Sequence, residues 1–167
     1  MERATLPDFK YKARAISTAG DLLREHLANA ANVEAMHSAT WVPIPPSKAE
    51  NHALYDDRIL KFLRRVDQGN DLDIRELIIQ NETLESFHGD NRLSPDALAT
   101  KYMIDDVVCL PKPNCIWLFD DVITTGSHFK AAKQVLLRSF PGMAIVGIFL
   151  ARRVPEANGF VALSAVM

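Results

Sequence analysis

Cysteine is nearly absent: Cys109 and Cys115 are the two thiols in a chain of 167 residues. Their spacing fits no common zinc signature, and in a reducing compartment such a pair is expected to serve as buried small hydrophobes, not as a structural metal site or disulfide. Long apolar runs are missing too. Outside the C-terminal segment the longest is a handful of residues around Ile145 to Ala151, and the opening MERATLPDFKYKARA has no apolar signal-peptide core. These absences speak against export and membrane spanning and lead to the expectation of a cytoplasmic protein. Nor is there an excess of either charge: 19 Lys and Arg stand against 21 Asp and Glu, for a net charge of −2 and a pI near 6.2. Global electrostatics therefore give no reason to expect a nucleic-acid or membrane-surface partner. No repeat, low-complexity tract or Gly/Ser linker divides the chain. With 48% hydrophobic and 24% charged residues it suits one domain spanning 1–167.

What is present is a sequence of alternating periods. Ile16, Ala19, Leu23, Leu27 and Ala30 recur at helical spacing and predict a first amphipathic helix. Ala39 to Ile44 reads as a short buried strand cut off by the prolines at 43, 45 and 46, since proline supplies no ladder N–H. Ile59, Phe62, Leu63 and Val66 mark a second helix, stopped by Gly69-Asn70. Between Asp71 and Lys112 the pattern weakens: Leu77-Ile78-Ile79 can form a strand, and polar Asn81 to Arg92 reads as a mobile loop. Ser94-Pro95-Asp96 starts a third helix, with Ser as N-cap, Pro at the first helical position and an acid near the positive helix end. Cys115 to Phe119 is a continuous apolar run of strand length ending before Asp120-Asp121. Phe129, Ala132, Leu136 and Phe140 then line a helix face up to Pro141-Gly142. Met143 to Ala151 follows as a strand and Phe160 to Val166 as another. Strand, helix and strand in this order predict an α/β fold with a central, mostly parallel sheet flanked by helices.

The chemistry concentrates in Ile116 to Phe129, IWLFDDVITTGSHF, where a buried strand ends in two acids and a hydroxyl-rich turn opens a helix. In an open parallel sheet, ligands bind at the carboxyl ends of the strands, and this is where the polar groups fall. Backbone N–H groups at the start of a helix, with the positive end of its dipole behind them, form an anion site. Thr124, Thr125 and Ser127 add hydroxyl donors, and Gly126 removes a Cβ from the approach. Asp120 and Asp121 can accept charge-assisted hydrogen bonds from sugar hydroxyls. The two halves together fit a ribose phosphate. Rival readings fail on the same residues. A Walker B strand needs a G-x-x-x-x-G-K-[ST] loop, yet no glycine here precedes a lysine. A haloacid-dehalogenase phosphatase needs an aspartate two positions after its nucleophile, where this chain has Val122 or Ile123. A Rossmann G-x-G-x-x-G is absent.

FDDVITTGS resembles the phosphoribosyl-pyrophosphate (PRPP) binding motif of type I phosphoribosyltransferases, over about thirteen residues. Trp117 stands where an aliphatic is usual, and His128 where Ser or Thr completes the phosphate loop; His128 can still donate to the 5′-phosphate, more strongly if protonated. Trp41-Val42-Pro43-Ile44-Pro45-Pro46 is similar to the V-P-V-P strand and loop of the ComF-like branch, whose loop leads to the pyrophosphate pocket. Leu77-Ile78-Ile79, Thr83 and Leu93-Ser94 follow that branch more loosely. Tyr55-Asp56-Asp57 replaces its Phe-Asn-Gln, Ser86 its Gln, and its N-terminal zinc module has no counterpart here.

The resemblance implies a Rossmann-like core from 39–66 and 113–167, with a small hood from 1–38 and part of 71–112. It places the 5′-phosphate at Thr124, Thr125, Gly126, Ser127 and His128, the ribose hydroxyls at Asp120 and Asp121, and the pyrophosphate at Ser47, Lys48 and Arg152. Arg92 or Lys101, on the mobile segment 81–101 expected between the second and third core strands, would meet the leaving group. Mg²⁺ is expected through PRPP and water with no dedicated protein metal site. The implied activity is transfer of ribose 5-phosphate to a nitrogen acceptor with release of pyrophosphate, as a pentosyl glycosyltransferase of nucleotide metabolism. The alternatives are a non-catalytic PRPP or nucleotide sensor and an accessory effector subunit acting through a partner protein. The expected partners are PRPP, a nitrogen acceptor, and either a second copy of the chain or another protein.

Overall fold

The computed structural model describes residues 7–29, 33–69, 71–80 and 93–153. In chain order they form helices Pro7–Ala28 (α1) and Val33–Ser38 (α2), strand Thr40–Pro43 (β1), helix Arg58–Val66 (α3), strands Asp73–Ile74 (β2) and Ile78–Gln80 (β3), helix Pro95–Ala99 (α4), strands Tyr102–Ile104 (β4) and Ile116–Ile123 (β5), helix Ser127–Ser139 (α5) and strand Ile145–Arg152 (β6). β2, β1, β5 and β6 lie side by side in that order, every pair parallel, while β3 and β4 make a separate antiparallel ribbon. The α/β class with a parallel central sheet is as expected from the alternating periods.

Successive strand residues point to opposite faces, and this alternation builds two cores. Trp41 and Phe119 face one way, where α3 lays down Ile59, Phe62, Leu63 and Val66 at positions i, i+3, i+4 and i+7. Phe62 stacks on Phe119 with ring centroids 5.0 Å apart. The expected face of the first helix, Ile16, Ala19, Leu23 and Leu27, covers the same cluster, so α1, which the resemblance put in a hood, lies in the layer with α3. Val42, Ile116 and Leu118 face the other way, onto Ala131, Ala132, Val135 and Leu136 of α5, with Ile78, Leu98 and Tyr102 closing the far side. Full burial of such side chains stabilises by about 1.5–3 kcal/mol each.

The two crossovers run outward from the centre of the sheet. β1 leads through α3 to β2 on one side, and β5 leads through α5 to β6 on the other. The strand order therefore reverses between β1 and β5, which is where a crevice opens beyond the strand ends. The two strands also end unevenly. β1 pairs with β5 only as far as Pro43 opposite Phe119, with Ile44 N–H still donating to the Phe119 carbonyl at 2.9 Å, whereas β5 continues beside β6 to Ile123 opposite Arg152.

Several expectations change here. One does not: Pro43 is the last residue of β1, where the proline signal puts the strand end. The Thr40 and Ile44 N–H groups point to β5, so the proline nitrogen points to the β2 side, where pairing stops at Trp41 opposite Ile74, and no ladder bond is lost. Asp120 and Asp121 are strand residues, because pairing with β6 carries β5 past them. Segment 81–101 joins β3 to β4 in the ribbon and not two strands of the central sheet. The third helix starts as predicted, with Ala97 N–H donating to Ser94 Oγ at 3.2 Å, but it lasts only five residues. The cysteines are half-buried, not buried; burial and the nearby Asp106 and Asp105 raise the Cys109 thiol above its ordinary value, with Arg75 opposing. β2 had no sequence signal, being two residues long in a polar stretch; Thr40 Oγ donates to Asp73 Oδ2 at 2.6 Å to hold it. Ala30, Asn81 to Arg92 and Phe160 to Val166 fall outside the described residues.

Gly147, opposite Leu118 in β6, lets α5 approach the sheet: a Cβ there would sit 2.8 Å from the Phe129 ring and 2.7 Å from that of Phe149. Gly147→Ala is expected to lower the unfolding free energy by about 1–3 kcal/mol through overpacking, read by urea denaturation. A change under about 0.5 kcal/mol would contradict this close approach.

Candidate functional site

At the open edge of β5 the alternation of the core side chains continues into polar residues. Asp120 has the parity of Ile116 and Leu118 and belongs to the α5 face; Asp121 has the parity of Trp117 and Phe119 and belongs to the α3 face. The partners agree. Arg58, the first residue of α3, places Nε 3.1 Å from Asp121 Oδ2 and also approaches Asp56 Oδ2 at 3.4 Å. Asp56 in turn accepts the Arg58 N–H at 3.3 Å, which meets one of the unsatisfied donors at the start of α3. Arg58 and Asp121 are both well exposed, so solvent screens the pair, and it is worth at most about 1 kcal/mol.

Both acids line one cavity of about 420 Å³ at the reversal point, together with Ser47 and Lys48 of the loop after β1, Arg58, and His128 of α5. Gln80, almost fully buried, donates from Nε2 to the Ser47 carbonyl at 2.8 Å and so ties this loop to the ribbon. Beside the cavity the chain turns through Thr124 and Thr125 into α5. Gly126 occupies the left-handed region at φ 72°, and its carbonyl accepts the Lys130 N–H at 2.9 Å as the helix begins. A Cβ at Gly126 would meet nothing closer than 3.7 Å, so the backbone angle demands glycine here, and not crowding. Thr125 Oγ1 and Ser127 Oγ lie 3.0 Å apart, bringing two hydroxyls together at the positive end of a 13-residue helix.

Charge is distributed unequally between the faces. Burial first, and then the Asp121 charge, push Asp120 up to about 7; the Asp121 N–H bond and Arg58 pull it the other way. Across from it, the Tyr102 hydroxyl lies 2.7 Å from His128 Nδ1. Burial lowers the His128 pKa, and burial followed by the charge of Asp120 raises the Tyr102 phenol above its ordinary value. His128 is thus a neutral imidazole held by a protonated phenol. Of the two forms in which His128 can donate, burial favours the uncharged one, because the ring has lost the water that would solvate its cation.

The expected site residues therefore separate into groups. Ser47, Lys48, Asp120, Asp121 and His128 share the cavity, with Thr124, Thr125, Gly126 and Ser127 on the adjoining turn. Arg152 ends β6 opposite Ile123, exposed and not among the cavity residues; Lys101 sits one residue before Tyr102 and also does not line it. Arg92 lies outside the described residues. Arg58 and Tyr102 were missed. Arg58 directly follows Tyr55-Asp56-Asp57, where the branch comparison had already located a departure, and Tyr102-Met103-Ile104 is a three-residue β-prone run too short to stand out.

Adjoining this cavity lies a second one of about 280 Å³, sharing Ile44, Pro45, Pro46, Lys48 and Ile59 with the first. Glu50, Asp57, Glu76 and Asp105 line it with Tyr55. Burial raises Glu76, with Arg64 opposing and the neighbouring acids adding to the rise. Among the described residues no helix is long and apolar enough to cross a membrane. Fold and site together define a parallel α/β protein with a carboxylate-lined crevice at the reversal of its strand order. In comparisons with known proteins the chain matches no family model and no curated protein.

The raised Asp120 pKa has a signed consequence for stability. Its folded value exceeds its unfolded value of 3.8, so the stabilisation is complete below about pH 4 and is lost as pH rises through about 7. His128 acts oppositely, costing stability as it is forced to charge at falling pH. The difference between the wild type and Asp120→Asn isolates the carboxylate: the variant should gain stability relative to wild type as pH rises from about 4 to 7.5, read by urea denaturation at each pH. A pH-independent difference would refute the raised value.

Proposed function

We propose that this chain is a phosphoribosyltransferase of the type I fold that binds PRPP and transfers its ribose 5-phosphate to a nitrogen acceptor. The observation that carries this reading is the meeting, at one strand-order reversal, of paired acids on β5, the Thr-Thr-Gly-Ser turn opening α5, and the Ser47-Lys48 loop after β1. The turn offers hydroxyls and helix N–H groups to the 5′-phosphate, the carboxylates accept from the ribose hydroxyls, and Lys48 and Arg58 stand on the side where pyrophosphate charge would lie. The glycosidic C–O bond to pyrophosphate breaks with its electron pair leaving on oxygen. The acceptor lone pair forms the C–N bond and the acceptor nitrogen releases a proton. Positive charge developing at the anomeric carbon is stabilised by Asp120 and Asp121.

Two adjacent carboxylates are hard oxygen donors, too few to hold a divalent ion alone. They fit Mg²⁺ held mainly by pyrophosphate and ribose oxygens and water. Bound in that way, Mg²⁺ would neutralise charge on the leaving group. The acid-lined second cavity, adjoining the first, suits an acceptor rich in N–H donors, such as an amino-substituted base.

The test is PRPP-dependent release of pyrophosphate over a panel of nitrogen bases. Asp120→Asn and Asp121→Asn are each expected to lower the rate by about 10²–10³-fold, and Arg58→Met to weaken PRPP binding while stability changes by no more than about 1 kcal/mol. Release indifferent to both aspartates would refute the site. PRPP binding with no turnover on any base would refute transfer and leave a sensor.

A further inference from the structure

Tyr102 comes from the ribbon and His128 from the first turn of α5, 26 positions apart, yet hydroxyl and Nδ1 meet at 2.7 Å. Tyr102 is 4% exposed and does not line the 420 Å³ cavity, whereas His128 does. The Nδ1 edge of the ring is therefore turned into the protein, and Nε2 is the nitrogen left for the cavity. In a neutral imidazole one ring nitrogen donates and the other accepts. A phenol that keeps its proton donates to Nδ1, and this forces the ring proton onto Nε2. Burial favours both halves, holding the phenol protonated and the imidazole uncharged.

We propose that Tyr102 is a positioning residue that fixes His128 as the Nε2–H tautomer and thereby makes it a hydrogen-bond donor to a phosphate oxygen bound in the crevice. The proposal rests on the phosphate reading of the site and adds to it the residue and proton that serve where a hydroxyl would otherwise stand. The donor is neutral, so it adds no cation to a site where Lys48 and Arg58 already supply positive charge. The charge of Asp120, close enough to act on Tyr102, further discourages loss of the phenol proton.

The experiment is two- and three-bond ¹H–¹⁵N correlation NMR of the full-length chain with labelled histidine near pH 7.5, with the His128 signals assigned by their loss in His128→Gln. The wild type is expected to show a neutral ring protonated on Nε2. Tyr102→Phe, checked for folding by thermal unfolding, is expected to give a mixture of tautomers and about two- to tenfold weaker binding of inorganic phosphate, the value of one neutral hydrogen bond. A wild-type ring protonated on Nδ1, or charged, overturns the proposal without any need for the variant. An unchanged tautomer in a folded Tyr102→Phe overturns it as well. Phosphate that shifts the Thr125 to Ser127 amides but leaves the His128 ring untouched overturns the donor role while sparing the cradle. Phosphate that shifts neither, with the ring on Nε2, counts instead against the phosphate reading beneath it.

Discussion

The site depends on two neighbouring parallel strands ending at different heights. β1 stops pairing at Pro43, while β5 is carried four residues further, to Ile123, by its partner on the other side, β6. The exposed edge of β5 then has backbone held on one side only, with polar side chains where the core side chains used to be. Had β1 continued, its backbone would occupy the space beside Asp120 and Asp121 where the crevice now opens. Proline ends β1 without penalty because its nitrogen points away from β5. Pro45 and Pro46 then direct the loop across the gap, so that one sequence feature both ends the strand and walls the crevice.

Because the two acids are consecutive strand residues, the sheet divides their surroundings. Asp121 looks towards α3 and meets Arg58, a solvated cation. Asp120 looks towards α5, where its charge acts on the buried Tyr102 phenol and His128 lines the same cavity. One dipeptide thus carries two electrostatic environments, which follow from the same period of two that builds the cores from Trp41 and Phe119 on one side and Val42 and Leu118 on the other. A helix in the same place would have put neighbouring acids about 100° apart on one surface, and both would have been solvated alike.

Much of this was legible in the residues because the local signals agreed. The apolar run to Phe119, the acids, the hydroxyl turn with Gly126 and the α5 face are all short-range features, and each was read correctly in kind. The features that escaped were set by partners distant in sequence. β5 extends through Asp120 only because β6 lies beside it, and no residue near 120 encodes this. β2 is held by Asp73 accepting from Thr40, 33 positions away. The burial of His128 is not legible at a helix start, where a polar residue is ordinarily wet; its partner Tyr102 lies in a stretch where the sequence pattern is weak. Arg58 was passed over because α3 was recognised by its apolar face, which begins at Ile59, one residue too late.

The ribbon explains why a strand pair outside the main sheet matters to the crevice. β3 holds the loop after β1 through Gln80 on Ser47, and β4 holds the first turn of α5 through Tyr102 on His128. The two walls of the crevice belong to different crossovers of the sheet and share no covalent connection shorter than the chain between them. Adjacent ribbon strands, paired at Gln80 opposite Tyr102, supply a direct link. The register of that single pair therefore sets the distance between the loop carrying Lys48 and the turn carrying Ser127. A slip of one residue would put Gln80 and Tyr102 on opposite faces of the ribbon, so that it could hold only one of the two walls.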